Sequence, residues 1–199
     1  MKEKKSLLVL SILSTIVLLL GATFSYYRVA AVSNEDAVSL EAAKLGLSVD
    51  ITPLYTGKEL IPMDDVDVMK GYLHSCVDDN EYGACQAYEI TVKNDGAAST
   101  FTGSINFTVS DILHLKYMIL DSEDKEYVSS TSVSSGTDQS LGESFSLAEN
   151  ESKTFKLVIW LTNFEYDQNI EDGGGIFSAL VTYSSSSGSR VTGTFSNNG

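Results

Sequence analysis

The sequence predicts an all-β chain, an antiparallel β-sandwich of jelly-roll-like or immunoglobulin-like form, preceded by an N-terminal hydrophobic helix. Three observations carry this. Apolar and polar residues alternate with a period of two in several separate stretches, the pattern of half-buried strands. Turn-forming clusters separate those stretches. The composition beyond the first two dozen residues is rich in Ser, Thr, Gly, Val, Phe and Tyr, and the whole chain holds two prolines, which favours strands and turns over helices.

Residues 1–27 read as a signal peptide or membrane anchor. Leu7 to Phe24 form an uncharged, apolar run behind Lys2, Lys4 and Lys5, and at about eighteen residues it is just long enough to cross a bilayer. The lysines stay in the cytoplasm, so the chain after Phe24 faces outward. Cleavage is the preferred fate, retention as an anchor the other. A signal peptidase could cut between Ser25 and Tyr26, or between Ala31 and Val32, where Val29-Ala30-Ala31 supplies small residues. The membrane, through this segment, and the peptidase are thus expected partners. Residues 28–46 form a linker of mixed character, and residues 47–199 the sandwich domain.

Within that domain Leu47, Val49 and Ile51 begin the first strand. Pro53 and the acidic stretch Asp64-Asp65-Val66-Asp67 mark a loop-like interval. Gln86 to Lys93 places Tyr88, Ile90 and Val92 on one face and Glu89, Thr91 and Lys93 on the other. Asn94-Asp95-Gly96 is a turn signal, because Asp-Gly tolerates the positive φ of tight turns. Ser104 to Ser110 alternates through Ile105, Phe107 and Val109. Leu115 to Leu120, apolar on both faces, reads as a central strand. Ser129 to Gly142 reads as a flexible Ser/Gly/Thr loop. Thr154 to Leu161 is the most apolar strand, with Val158 and Trp160 opposite Phe155, Leu157, Ile159 and Leu161, so both of its faces should be covered. Asp172 to Gly175 is a turn. Phe177, Ala179, Val181 and Tyr183 point inward from the next strand, Ser184 to Ser189 is a polar loop, and Arg190 to Phe195 closes the domain.

A formal charge of −14, from 13 basic and 27 acidic residues, argues against nucleic acid as a partner. The acidic surface serves solubility. Cys76 and Cys85 are nine residues apart and should form a disulfide outside the membrane. The loop they close holds Asp78, Asp79, Asn80 and Glu81, weak calcium candidates without EF-hand spacing. Two cysteines without CxxC spacing make a poor zinc site. His74 and His114 belong to no HExxH, and neither GxSxG, P-loop nor GxGxxG occurs. The sequence therefore predicts neither an enzyme nor a cofactor.

Three stretches in order carry a resemblance to a known family. Gly21-Ala22-Thr23-Phe24-Ser25-Tyr26-Tyr27 resembles the end of signal peptides handled by SipW-type peptidases. Leu45 to Asp50 resembles a first mature strand, and Tyr88 to Gly96 a later strand ending in Asn-x-Gly. Together they make the chain similar to the TasA/camelysin group of exported proteins. The resemblance implies a jelly-roll domain and a surface or biofilm-matrix subunit. It also implies self-assembly by strand addition, with a donor segment of about Tyr26 to Asp50 lent to a neighbour's sheet. The alternative reading is a membrane-anchored module that binds carbohydrate or protein through its loops.

Overall fold

The computed structural model describes residues 46–56, 59–112, 114–163 and 175–197. The expected N-terminal helix, the cleavage positions Ser25, Tyr26, Ala31 and Val32, the linker up to residue 45 and most of the Asp172–Gly175 turn lie outside these residues.

Among the described residues ten strands and one short helix follow in the order β1 (Leu47–Tyr55), α1 (Val68–Leu73), β2 (Gln86–Asn94), β3 (Ser99–Ser110), β4 (Leu115–Leu120), β5 (Glu126–Ser132), β6 (Asp138–Ser140), β7 (Phe145–Leu147), β8 (Glu151–Leu161), β9 (Ile176–Ser185) and β10 (Arg190–Ser196). One sheet runs β1-β2-β8-β4-β5. The other runs β10-β9-β3-β6, with β7 also pairing β3. All ladders between these strands are antiparallel. The architecture is thus a sandwich of two antiparallel sheets.

The period-two pattern fills the space between the sheets. Val49, Ile51, Tyr88, Ile90, Phe155, Leu157 and Ile159 come from the first sheet. Ile105, Phe107, Phe177, Val181 and Tyr183 come from the second. Each such side chain contributes about 1.5–3 kcal/mol by leaving water. β8 is central, and the other face of it and of β4 is also buried: Val158, Trp160, Met118 and Leu120 lie under Val68, Tyr72 and the cystine. Both faces of β8 are covered, as its continuous apolar run predicts.

Four local readings need correction. Ser129 to Gly142 is not simply a loop, because β5 ends in it and β6 lies within it. These are edge strands, polar on their solvent side and so lacking the alternation that marks a strand. Pro53 lies inside β1 and pairs with Tyr88. A six-residue helix occupies part of the β1–β2 interval read as loop. Finally, the Asn94-Asp95-Gly96 turn leads from β2 in one sheet to β3 in the other without the positive φ at Asp95 or Gly96 that its sequence suggests. Gly96 there serves close approach instead. A Cβ on Gly46, itself at φ +63°, would stand 2.7 Å from the Gly96 Cα. The buried Asn94 side chain holds this corner, its amide donating to the carbonyls of Ala97, Leu147 and Ala148.

Candidate functional site

The first surface to consider is the outer edge of β1, to which no described strand pairs. Its hydrogen-bonding phase follows from one contact. The Asp95 amide donates to the Gly46 carbonyl at 2.6 Å, one step before the Leu47–Asn94 pair of the β1–β2 ladder. Bonded pairs alternate along an antiparallel ladder, so Ser48, Asp50 and Thr52 bond β2. Leu47, Val49 and Ile51 then bury their side chains while turning backbone N–H and C=O to the open edge. Pro53 falls in the outward phase, where its missing donor costs the ladder nothing. This explains a proline inside a strand. The edge therefore offers three bonding residues and then a stop. Leu47 to Asp50, the end of the segment that the family resemblance would lend to a neighbour, is paired here within its own sheet.

The second surface is the cap that residues 59–86 lay over the outer face of the first sheet. Two carboxylates fasten it. Asp65 accepts from the Trp160 Nε1 at 3.0 Å and the Thr162 hydroxyl at 2.5 Å, and pairs with Lys116. Burial pushes the Asp65 pKa up, but the hydrogen bonds from Lys116, Thr162 and Trp160 outweigh it and hold the carboxyl below its ordinary value. Asp124, in the β4–β5 turn, receives Lys156 at 2.6 Å and the Tyr72 hydroxyl at 2.7 Å. The Lys156 bond leads in holding Asp124 low as well. Burial, with the Asp124 bond second, raises the Tyr72 phenol.

Cys76 and Cys85 are bonded, with Cα atoms 4.7 Å apart, as their spacing predicts. The calcium candidates inside the loop have other work. Asp78 Oδ1 accepts from the Asn80 and Tyr82 amides at 2.9 and 2.8 Å, and Asp79 pairs with Lys70 of α1 at 2.8 Å. Among the described residues no three His, Cys, Asp or Glu side chains are grouped to hold a metal ion. His74 caps the end of α1, while His114 precedes β4, so the two belong to different elements. The cap leaves Val66, Leu73 and Tyr82 exposed at 87%, 70% and 60%. Such a set of exposed apolar side chains is a candidate contact surface.

Sequence reasoning missed the Asp65 and Asp124 anchors. It also missed Lys153, whose ammonium lies 4.7–5.0 Å from the ring centroids of Phe145, Tyr127 and Phe155. In Lys153 a cation sits in line with Phe155 and Leu157 on the inward face of β8. Its period-two position was the available signal.

No protein-family model and no curated protein matches the chain. Among solved structures it is similar to Spo0M, a sporulation control protein from Bacillus subtilis. That match has 9% identity over 76% of this chain and 48% of the other, with a TM-score of 0.37; the aligned part spans about half of that protein's length. A PA14 sugar-binding domain from an RTX adhesin aligns at 12% identity over 84% and 89% of the two chains, TM-score 0.32. The PA14 domain of the MpAFP antifreeze protein aligns at 12% over 77% and 78%, TM-score 0.26. Similarity at this level carries no argument about ligand or activity. Among the described residues no helix is long and apolar enough to cross a membrane.

Proposed function

We propose that this chain is a non-catalytic, exported protein of the cell surface or extracellular matrix, of the TasA/camelysin-like kind, whose sandwich assembles by accepting a strand from a neighbouring copy at the outer edge of β1. The observation that carries this is the outer edge of β1, which no strand pairs among the described residues, with the backbone groups of Leu47, Val49 and Ile51 facing out. The formed Cys76–Cys85 bond supports export, since disulfides persist in oxidising compartments. The apolar leader behind three lysines supports the route. The repeated crossing of the chain between sheets supports the jelly-roll reading. The donor is then the stretch from Tyr26 to about residue 45, because Leu47 to Asp50 is already used.

A proline scan tests the edge. Val49→Pro removes a donor that faces outward, so it leaves the β1–β2 ladder intact and blocks an added strand. Asp50→Pro removes a donor given to β2 and destabilises the fold itself. The exported protein should form filaments under the electron microscope, and Val49→Pro should abolish them while keeping a parent-like circular dichroism spectrum. Filaments that survive Val49→Pro, or a parent that forms none, refute strand addition at this edge. The alternative, a binding module, is favoured by the exposed Val66, Leu73 and Tyr82 on the cap. A monomeric parent whose ligand binding is lost in Tyr82→Ala would support that reading instead.

A further inference from the structure

The outer faces of the two sheets differ in kind. The first sheet presents Asp50, Glu89, Lys93, Lys116 and Lys156 from its outward positions, alternating charge with polar residues. The second sheet presents hydroxyls. Register places Ser140, Ser104, Thr182 and Thr192 in one row across β6, β3, β9 and β10, with Thr182 buried among its neighbours. The next row reads Asp138, Asn106, Leu180 and Thr194. The flanking rows are Thr102, Ser184 and Arg190 on one side and Thr108, Ser178 and Ser196 on the other. At the outward strand positions of this face Asp138 and Arg190 are the only formal charges among the described residues. Asp138 sits at the β6 edge and accepts from the Asn106 side chain at 2.8 Å; Arg190 sits at the far end of β10. Near the middle Leu180 is 40% exposed, and Ile176 on the same strand 46%.

A neutral face with an exposed leucine near its middle is anomalous on a chain of formal charge −14. Solubility asks for the opposite. The explanation that fits its chemistry is contact with a surface bearing the same net charge. Two copies repel wherever carboxylates come within a Debye length, about 8 Å at physiological salt. That repulsion is least where these two faces meet. Hydroxyls are donors and acceptors at once, so the face is complementary to itself, as a twofold contact requires. Neighbouring strands lie about 4.8 Å apart and residues rise about 3.4 Å, so the face measures on the order of 600 Å². That lies at the low end for one side of a specific interface.

We propose that the outer face of the β10-β9-β3-β6 sheet is a homotypic contact surface, on which a second copy of this chain packs face to face about a twofold axis near Leu180. This contact stands apart from strand addition at β1: it closes at two copies, whereas edge addition runs on without limit. It also strengthens as salt screens the net charge, the reverse of docking between opposite charges.

Sedimentation equilibrium over a concentration and salt series tests the proposal, with the exported Val49→Pro protein as parent so that strand addition at β1 does not contribute. The parent should dimerise reversibly, more tightly at higher salt. Leu180→Asp with Thr194→Asp should weaken the dimer by at least about tenfold, since like charges then face each other. Ser152→Asp, on an exposed outward position of β8 in the other sheet, should leave it unchanged. Circular dichroism checks that each variant is folded. Leu180→Cys gives a second readout, a covalent dimer under mild oxidation if the Leu180 side chains meet. A parent monomeric throughout overturns the proposal. So does a dimer indifferent to the face substitutions, or one lost equally in Ser152→Asp. Filaments that persist when Leu180→Asp and Thr194→Asp are placed in the chain with native Val49 leave the β1 edge reading standing and separate the two contacts.

Discussion

Asp65 shows how one side chain can hold a layer in place. Its Oδ1 is the acceptor for the indole N–H of Trp160, a residue with no solvent exposure. Asp65→Ala would leave that donor without its partner, and an orphaned buried donor costs about 1–3 kcal/mol. The urea midpoint should fall accordingly, while Asp64→Ala, whose carboxylate bonds the exposed Asn163 side chain, should change it little. The same residue sets part of the acid response. The Asp65 and Asp124 carboxyls are both held below the ordinary value of 3.8 in the fold. A group with a depressed folded pKa stabilises above its unfolded pKa and loses that contribution as pH falls through the folded one. Stability should therefore decline as pH drops to 3.8 and below, and Asp65→Asn should flatten that decline in thermal melts. No local pattern announces these roles. Asp65 reaches Trp160 and Thr162 across 95 and 97 residues, and in sequence it is one acid in an acidic run.

Elements were legible in proportion to how much of their surface they bury. β8, β9 and the middle of β2 carry strict alternation or a continuous apolar run because one or both faces meet the core, and their spans follow from the sequence. β5 and β6 bury little and were hidden in Ser and Thr. The helix α1 was missed for a different reason: at six residues it is too short to show a period. It is held by tertiary contacts, with Val68 and Tyr72 buried against Trp160 and Val158 and the cystine immediately beyond. Ser75 and Cys76 just after it have φ of 61° and 58°, a left-handed turn that L residues adopt at a cost. The cross-link helps to offset that cost. Replacing both cysteines, Cys76→Ser with Cys85→Ser, should lower stability by about 2–3 kcal/mol in the chain-entropy picture. Guanidinium titration would measure it, and adding reductant to the double variant should have no further effect.

For the whole molecule the sequence conveys class but not order. The −14 charge and the period-two stretches point to an acidic sandwich. Nothing in β2 and β3, consecutive in the chain, says that they lie in different sheets. Strand order is settled by ladders such as β2 with β8 and β3 with β9, which join residues distant in sequence. The same order makes β8 common to two hydrophobic layers. Its Phe155, Leu157 and Ile159 face the second sheet, and its Val158 and Trp160 face the cap. A strand so shared couples the layers: opening the cap wets one side of β8 and removes support from the other. The single tryptophan of the chain is Trp160, so its fluorescence reports the cap layer, while far-ultraviolet circular dichroism reports the sheets. The two signals should trace one coincident transition in denaturant, the signature of a cooperative unit. A fluorescence transition completed at lower denaturant than the loss of sheet signal would show that the cap opens by itself, and that the Asp65 and Asp124 anchors do not join it to the sandwich.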